Sequence, residues 1–242
     1  MKVLSIGNSF STDAHRFLHS LAEVNGFDIF TANLFIGGCS LETHWQNVIE
    51  NNAYYDYELN GNEAERKIGI KEALESEKWD IVTLQQASAY SGITDSYEPY
   101  LSELAQLVRE AQLQTKLYFH QTWSYENGSQ HPGFVSYGCN SRNMYESINE
   151  ACKAAAERIK AKIIPTGTVI QYLRENVIEF DYENAGFSLC RDTFHLSFDY
   201  GRYAAAAVWL RTITGAELTA KEFEKIDIKL LDVIVQAVNK LI

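Results

Sequence analysis

The sequence predicts a three-layer α/β/α sandwich on a mainly parallel, five-stranded sheet. Three observations lead there. Short apolar runs alternate with segments of helical period along the whole chain. The helical segments are long enough to cross over between parallel strands, with helices on both faces of the sheet. Hydrophobic residues make up 46% of 242 positions, enough for a sizeable core. There is no internal repeat, low-complexity tract or linker, so residues 1–242 read as one domain.

Taken in order, Lys2–Ile6 is a strand, followed by a helix over Asp13–Val24 with Phe17, Leu18, Leu21 and Ala22 on one face. Asp28–Phe35 is the second strand and Leu41–Ile49 a helix. The stretch from Asn51 to Gly69 is polar and aromatic. Its central Asn60-Gly61 pair is a hairpin signal, which predicts a small antiparallel insertion. Lys71–Ser76 is helical. Trp79–Leu84 is the third strand, Tyr97–Gln112 an amphipathic helix and Leu117–His120 the fourth strand. Ser124–Cys139 carries Asn127-Gly128, Pro132-Gly133 and Gly138 and reads as a long loop. Arg142–Lys160 is a helix, Lys162–Pro165 the fifth strand, and Val169–Asn176 a helix. Glu179–Thr193 is irregular. Tyr200–Thr212 and Phe223–Ile242 close the chain as helices.

Composition narrows the function classes. A formal net charge of -11, without a basic stripe, argues against nucleic-acid or anionic-membrane partners. No apolar run reaches transmembrane length. Cys39, Cys139, Cys152 and Cys190 are widely spaced without a CxxC, so they read as reduced thiols and not as a zinc site. With no secretory signal in view, a cytoplasmic location is expected.

Ligands of such a sheet bind beyond the carboxyl ends of the strands. Four unusual groups fall there: Gly7-Asn8-Ser9, Gly37-Gly38, Gln85-Gln86 and His120-Gln121-Thr122-Trp123. Ser9 at a strand tip is a candidate nucleophile, but an unassisted hydroxyl is weak and needs a base. His195 supplies one. Asp192 precedes it by three residues, a spacing that lets the carboxylate reach the imidazole within one turn and fix its tautomer. The simpler reading of Ser9 is a turn serine capping the first helix.

The blocks Gly7-Asn8-Ser9-Phe10, Gly37-Gly38-Cys39-Ser40, the Gln pair and Asp192-Thr193-Phe194-His195-Leu196-Ser197 come in this order. Together they resemble the SGNH (GDSL-like) hydrolase superfamily. A bacterial branch with a Gly-Asn-Ser-Phe block and a Trp79–Gln86 strand is the nearer likeness. The resemblance implies a flavodoxin-like fold, Ser9 as nucleophile, His195 as base and Asp192 as its orienting acid. It also implies an oxyanion hole from the backbone N–H groups of Ser9 and Gly38. The chain departs from the superfamily in two places. Asn8 replaces the usual Asp, and Gln85-Gln86 stand where an Asn amide normally donates to the oxyanion. A Gln amide can make that donation on a longer arm. Strand alternation turns only one of the two inward, and Gln86 is the expected one.

Asn8, His120, Gln121, Trp123, Phe194 and Tyr90 are candidates for lining the substrate pocket, with Trp45 a further one; packing under the Ser124–Cys139 loop is the alternative for Trp123. Tyr54-Tyr55-Asp56-Tyr57 could be a binding surface or a hairpin face. Cys39 shows no sign of a lowered pKa. His15 and His19 stand at i and i+4 after Asp13, a possible metal pair, yet lack the Glu of HExxH; a solvated helix face, started by Asp13, is the expected reading. The combined expectation is a serine esterase that needs no metal or cofactor, acting on a small acyl group, acetyl foremost, on a carbohydrate. The rivals are a non-catalytic carbohydrate-binding module, a lipase- or thioesterase-type acyl hydrolase, and a metal-dependent hydrolase.

Overall fold

The computed structural model describes residues 1–63 and 66–242. The elements in chain order are β1 (Lys2–Gly7), α1 (Ser9–Val24), β2 (Phe30–Phe35), α2 (Leu41–Ile49), β3 (Tyr55–Leu59), β4 (Lys67–Ile68), α3 (Ile70–Ser76) and β5 (Ile81–Leu84). They continue with α4 (Tyr100–Ala111), β6 (Lys116–His120), α5 (Ser141–Arg158), β7 (Lys162–Ile164), α6 (Thr166–Asn176), α7 (Tyr200–Thr214) and α8 (Ile228–Leu241). The sheet runs β4-β3-β2-β1-β5-β6-β7. Strands β2, β1, β5, β6 and β7 are parallel neighbours, while β3 and β4 are antiparallel additions at one edge.

Counting the parallel strands alone in chain order, they lie 2-1-3-4-5 across the sheet, the flavodoxin-like arrangement. Its switch point falls between β1 and β5, so the crevice for a ligand opens where Gly7-Asn8-Ser9 and Gln85-Gln86 emerge.

Both central strands are buried on both faces. Alternation sends Val3 and Ile81 toward α1, α6, α7 and α8, and Leu4, Ile6, Val82 and Leu84 toward α2, α3 and α4. Helix α7 is almost wholly buried, with Ala204–Ala207 inside; small side chains let it lie close to α1, α6 and α8. No described helix is long and apolar enough to cross a membrane.

The insertion is a hairpin, as expected, and it joins the main sheet, taking it to seven strands. Asn60 and Gly61 have φ of 51° and 75°, the paired positive values of a type I′ turn. Gly61 is required twice over, since a Cβ there would meet the Arg16 carbonyl oxygen at 2.5 Å. Tyr55 and Tyr57 are buried beneath the hairpin and Tyr54 is exposed, so this aromatic run is chiefly a packing face.

Some helix starts differ from expectation for local reasons. Helix α1 begins at Ser9 and not Asp13, because Asn8 and Ser11 form a reciprocal cap. Helix α4 begins after Pro99, which has no N–H and disfavours a helical residue before it. Helix α8 begins at Ile228, after Glu224 and Lys225 take left-handed φ and Asp227 caps the new start.

Candidate active site

The turn from β1 into α1 admits only glycine at position 7: a Cβ would lie 2.1 Å from Ser11 Oγ. This sharp turn sets Ser9 in the first turn of α1, above the sheet. From the far end of the chain, the segment before α7 brings His195 to it. The Ser9 hydroxyl is 2.9 Å from His195 Nε2, and His195 Nδ1 is 2.7 Å from Asp192 Oδ2. Donation of Nδ1–H to Asp192 leaves the Nε2 lone pair to accept the Ser9 proton.

Asp192 Oδ1 also accepts the N–H groups of His195 (2.7 Å) and Phe194 (3.3 Å), which makes Asp-x-x-His a single turn. Burial pushes the Asp192 carboxyl up, but the His195 ring, the two N–H groups and the imidazole's charge outweigh it. The carboxyl is held below its usual range. Thr193, inside this turn, has φ of 73°, a conformation that costs a β-branched residue about 1–3 kcal/mol. Its carbonyl accepts Glu126 N–H (2.8 Å) and its hydroxyl donates to Ser129 Oγ (2.9 Å), so the Ser124–Cys139 loop holds it there.

Gly38 follows β2 in a left-handed conformation, φ 64°, with open space where a Cβ would project. Among the described residues, neither the Ser9 nor the Gly38 N–H has a hydrogen-bond acceptor. Asn8 couples these two donors: its Nδ2 gives a 3.0 Å bond to the Cys39 carbonyl, and its Oδ1 accepts Phe10 N–H.

The glutamines do not behave as expected. Gln86, the expected oxyanion donor, turns toward the α2 and α4 side. Its amide nitrogen bonds Ser96 O and Oγ, and its carbonyl accepts the N–H of Leu41 and Ala87. Gln85 turns toward α1 and gives its amide hydrogen to Asn8 Oδ1. Gln86 spends both amide hydrogens on Ser96, whereas Gln85 spends one of its two on Asn8.

His120, Gln121, Trp123 and Asn8, expected to line the pocket, are buried beneath it instead. His120 bridges Thr166 Oγ1 (3.0 Å) and Gln85 Oε1 (2.8 Å), and burial, reinforced by His15, pushes its pKa down to about 3. The neutral ring therefore receives Thr166 O–H and gives Nδ1–H to Gln85. Gln121 accepts the N–H and O–H of Thr168. Trp123 stacks on Phe10 at 4.2 Å and donates Nε1–H to the Phe194 carbonyl. Phe194, half-buried, and Tyr90, exposed, remain at the surface. Trp45 is partly buried in the core on the α2 side.

His131 is a residue the sequence reading missed. Its ring is 5.0 Å from Phe194, which is 4.3 Å from the His195 ring. Its Nδ1 accepts Gly133 N–H, so Nε2 carries the proton. Burial and the charge of His195 lower its pKa. Only the folding of the Ser124–Cys139 loop over the site reveals it.

The possible metal pair is divided. His15 bonds Ser5 Oγ at 2.7 Å beneath the sheet, and His19 bonds the Ile29 carbonyl. No group of three or more His, Cys, Asp or Glu among the described residues could hold a metal. Cys39 is buried, and its thiol is pushed up to about 12 by burial, with a Tyr55 hydrogen bond opposing. Asp13, expected to start the first helix, is buried in its second turn and faces Arg191 and Arg202.

Sheet order and strand-end crevice define the fold of the SGNH hydrolases. It is shared with a proposed SGNH hydrolase from Slackia heliotrinireducens at 22% identity and TM-score 0.61, covering 88% of this chain and 98% of that one. An acetyl-xylooligosaccharide esterase from Geobacillus stearothermophilus, in a single-residue variant, matches at 16% identity and TM-score 0.56, covering 91% and 97%. Comparison with curated proteins finds no match. The chain belongs to the DUF4886 family, a domain of unknown function whose model matches residues 2–238. A DUF4886 protein from Bacteroides uniformis is 40% identical, with TM-score 0.91 over 99% of this chain and 93% of that one.

Proposed function

We propose that this chain is a serine esterase, with Ser9, His195 and Asp192 as its triad. The observation that carries the reading is the unbroken chain of hydrogen bonds Ser9–His195–Asp192, 2.9 and 2.7 Å long. Ser9 Oγ attacks the acyl carbon as its proton passes to His195 Nε2. The oxyanion is met by the Ser9 and Gly38 N–H groups. His195 then returns the proton to the departing alcohol oxygen, leaving an acyl-Ser9 ester. Water enters, gives its proton to His195 and attacks the acyl carbon; the bond from that carbon to Ser9 Oγ then breaks, His195 Nε2 returns the proton to Ser9 Oγ, and the free acid leaves. Asp192 holds the imidazole in the needed tautomer throughout.

The substrate we propose is a small acyl ester, acetyl foremost, on a carbohydrate. The triad is open to solvent, with Asp192 42% and His195 21% exposed. Phe194, Tyr90 and the His131 N–H offer aromatic faces and a donor of the kind that sugars use. The fold is also that of an esterase named for acetyl-xylooligosaccharides. Purified protein is assayed on para-nitrophenyl acetate, para-nitrophenyl octanoate and acetylated xylo-oligosaccharides, beside Ser9→Ala. Acetate release from the sugars, lost in Ser9→Ala, supports the reading. Preference for octanoate removes the substrate class, and turnover by Ser9→Ala removes the mechanism.

A further inference from the structure

We propose that Asp13 is a positioning residue, the single carboxylate that locks the base-bearing segment onto the helix that carries the nucleophile. The inference rests on the Ser9–His195 reading and adds to it a group that touches neither substrate nor reacting atoms.

Asp13 lies one turn beyond Ser9 on α1, and its side chain is 1% exposed. Its Oδ2 accepts the Leu196 N–H at 2.9 Å, one residue past His195. Oδ1 accepts Arg202 Nε at 2.8 Å from α7, and Arg191 Nη1 bonds both oxygens at 3.0 and 3.1 Å. Arg191 also donates to the Leu196 carbonyl, and its own N–H meets the His195 carbonyl at 2.9 Å. Both sides of the His195 position are therefore tied, through charge-assisted bonds, to a point four residues from Ser9. Phe198 lies over both guanidinium groups, 4.9 and 4.7 Å from its ring centre, which gives an exposed aromatic a purpose in screening the cluster.

A surface helix-starting Asp has none of these partners. A carboxylate buried with two arginines and a backbone N–H fixes a geometry, because every acceptor direction is used. Releasing it frees His195 to drift from Ser9 without altering either side chain. A displacement of about 1 Å in such a pair can lower rate on the order of 10²-fold.

The test is the rate at which a fluorophosphonate labels wild type and Asp13→Asn, resolved into affinity (KI) and maximal rate (kinact), with hydrogen exchange of the Leu196 amide measured in each. The expected result is a protected Leu196 amide in wild type only. KI should be unchanged and kinact about 10- to 100-fold lower in the variant. Equal kinact in the two folded proteins overturns the positioning role alone. Failure of wild type to label removes the serine mechanism, and the positioning role with it. Should Asp13→Asn not fold, Arg202→Gln loosens the carboxylate from α7 while keeping the Leu196 bond. It too should lower kinact, and an unchanged kinact in folded Arg202→Gln overturns the proposal.

Discussion

The Gln85 amide nitrogen lies 2.8 Å from Asn8 Oδ1, so the end of β5 braces the turn that carries Ser9. The brace continues outward on both sides. Asn8 Nδ2 bonds the Cys39 carbonyl beside Gly38, and His120 couples Gln85 to Thr166 at the start of α6. One buried polar chain thus crosses the carboxyl ends of β7, β6, β5 and β1 and reaches the loop after β2. Its members are all satisfied, the condition under which a buried network rigidifies a site.

The two glutamines should therefore separate cleanly. Gln85→Ala is expected to lower kcat by about tenfold or more, with KM little changed, because Asn8 and, through it, the proposed Ser9 and Gly38 donors lose their support. Gln86→Ala strands the Leu41 and Ala87 N–H groups, each buried, and should lower stability by about 1–3 kcal/mol per stranded group. Its kcat should survive. Steady-state kinetics and urea unfolding of both variants check the contrast, and a reversed pattern contradicts the assignment.

Gly38→Ala tests the second backbone donor. A Cβ meets no atom there, so the cost is conformational: about 1–2 kcal/mol for an L-residue held at φ 64°. Relief of that strain rotates the N–H away from the oxyanion. Loss of such a donor is worth about 10²–10³ in turnover. Wild-type kcat in a Gly38→Ala enzyme would exclude Gly38 from the hole.

His131 and Phe194 are expected to act in binding. Replacing His131 with Ala should raise KM for an acetylated oligosaccharide while leaving kcat for para-nitrophenyl acetate near its wild-type value, since no bond of the triad involves it. Equal effects on both substrates would place His131 in the chemistry instead.

Stability should fall in mild acid. Burial pushes His15, His44 and His120 each down to about 3, whereas in the unfolded chain they titrate near ~6.5. Between those values the unfolded state binds more protons than the native state, so stability rises with pH through this window and is lost as pH falls. Above neutrality the three rings are uncharged in both states and add no slope. Each contributes up to about 1.4 kcal/mol per pH unit within the window. Unfolding free energy measured by urea titration from neutral pH downward should bend well above the carboxylate range, and a flat profile there contradicts burial of the three rings.

Much of this was legible in the sequence because it is written in local pattern. Alternating strand and helix signals gave the parallel sheet, Asn60-Gly61 marked its hairpin, and the three-residue step from Asp192 to His195 is a single turn. What escaped depends on side-chain direction at strand ends and on long-range closure. Gln85 and Gln86 are adjacent and chemically identical, and only the position of β5 beside Asn8 distinguishes them. His120 and Trp123 sit at a strand tip, yet Thr166 and Trp209 close over His120, and Phe10 and the Phe194 carbonyl over Trp123. Asp13 looks like a helix-starting residue until Arg191, 178 residues away, is found against it.

The central claim is that Ser9 is a nucleophile activated by His195. It is tested most directly by intact-mass measurement after exposing wild type and Ser9→Ala to a fluorophosphonate. The account predicts one adduct on the wild-type chain and none on Ser9→Ala. An unmodified wild type, or the same adduct on both proteins, would contradict it.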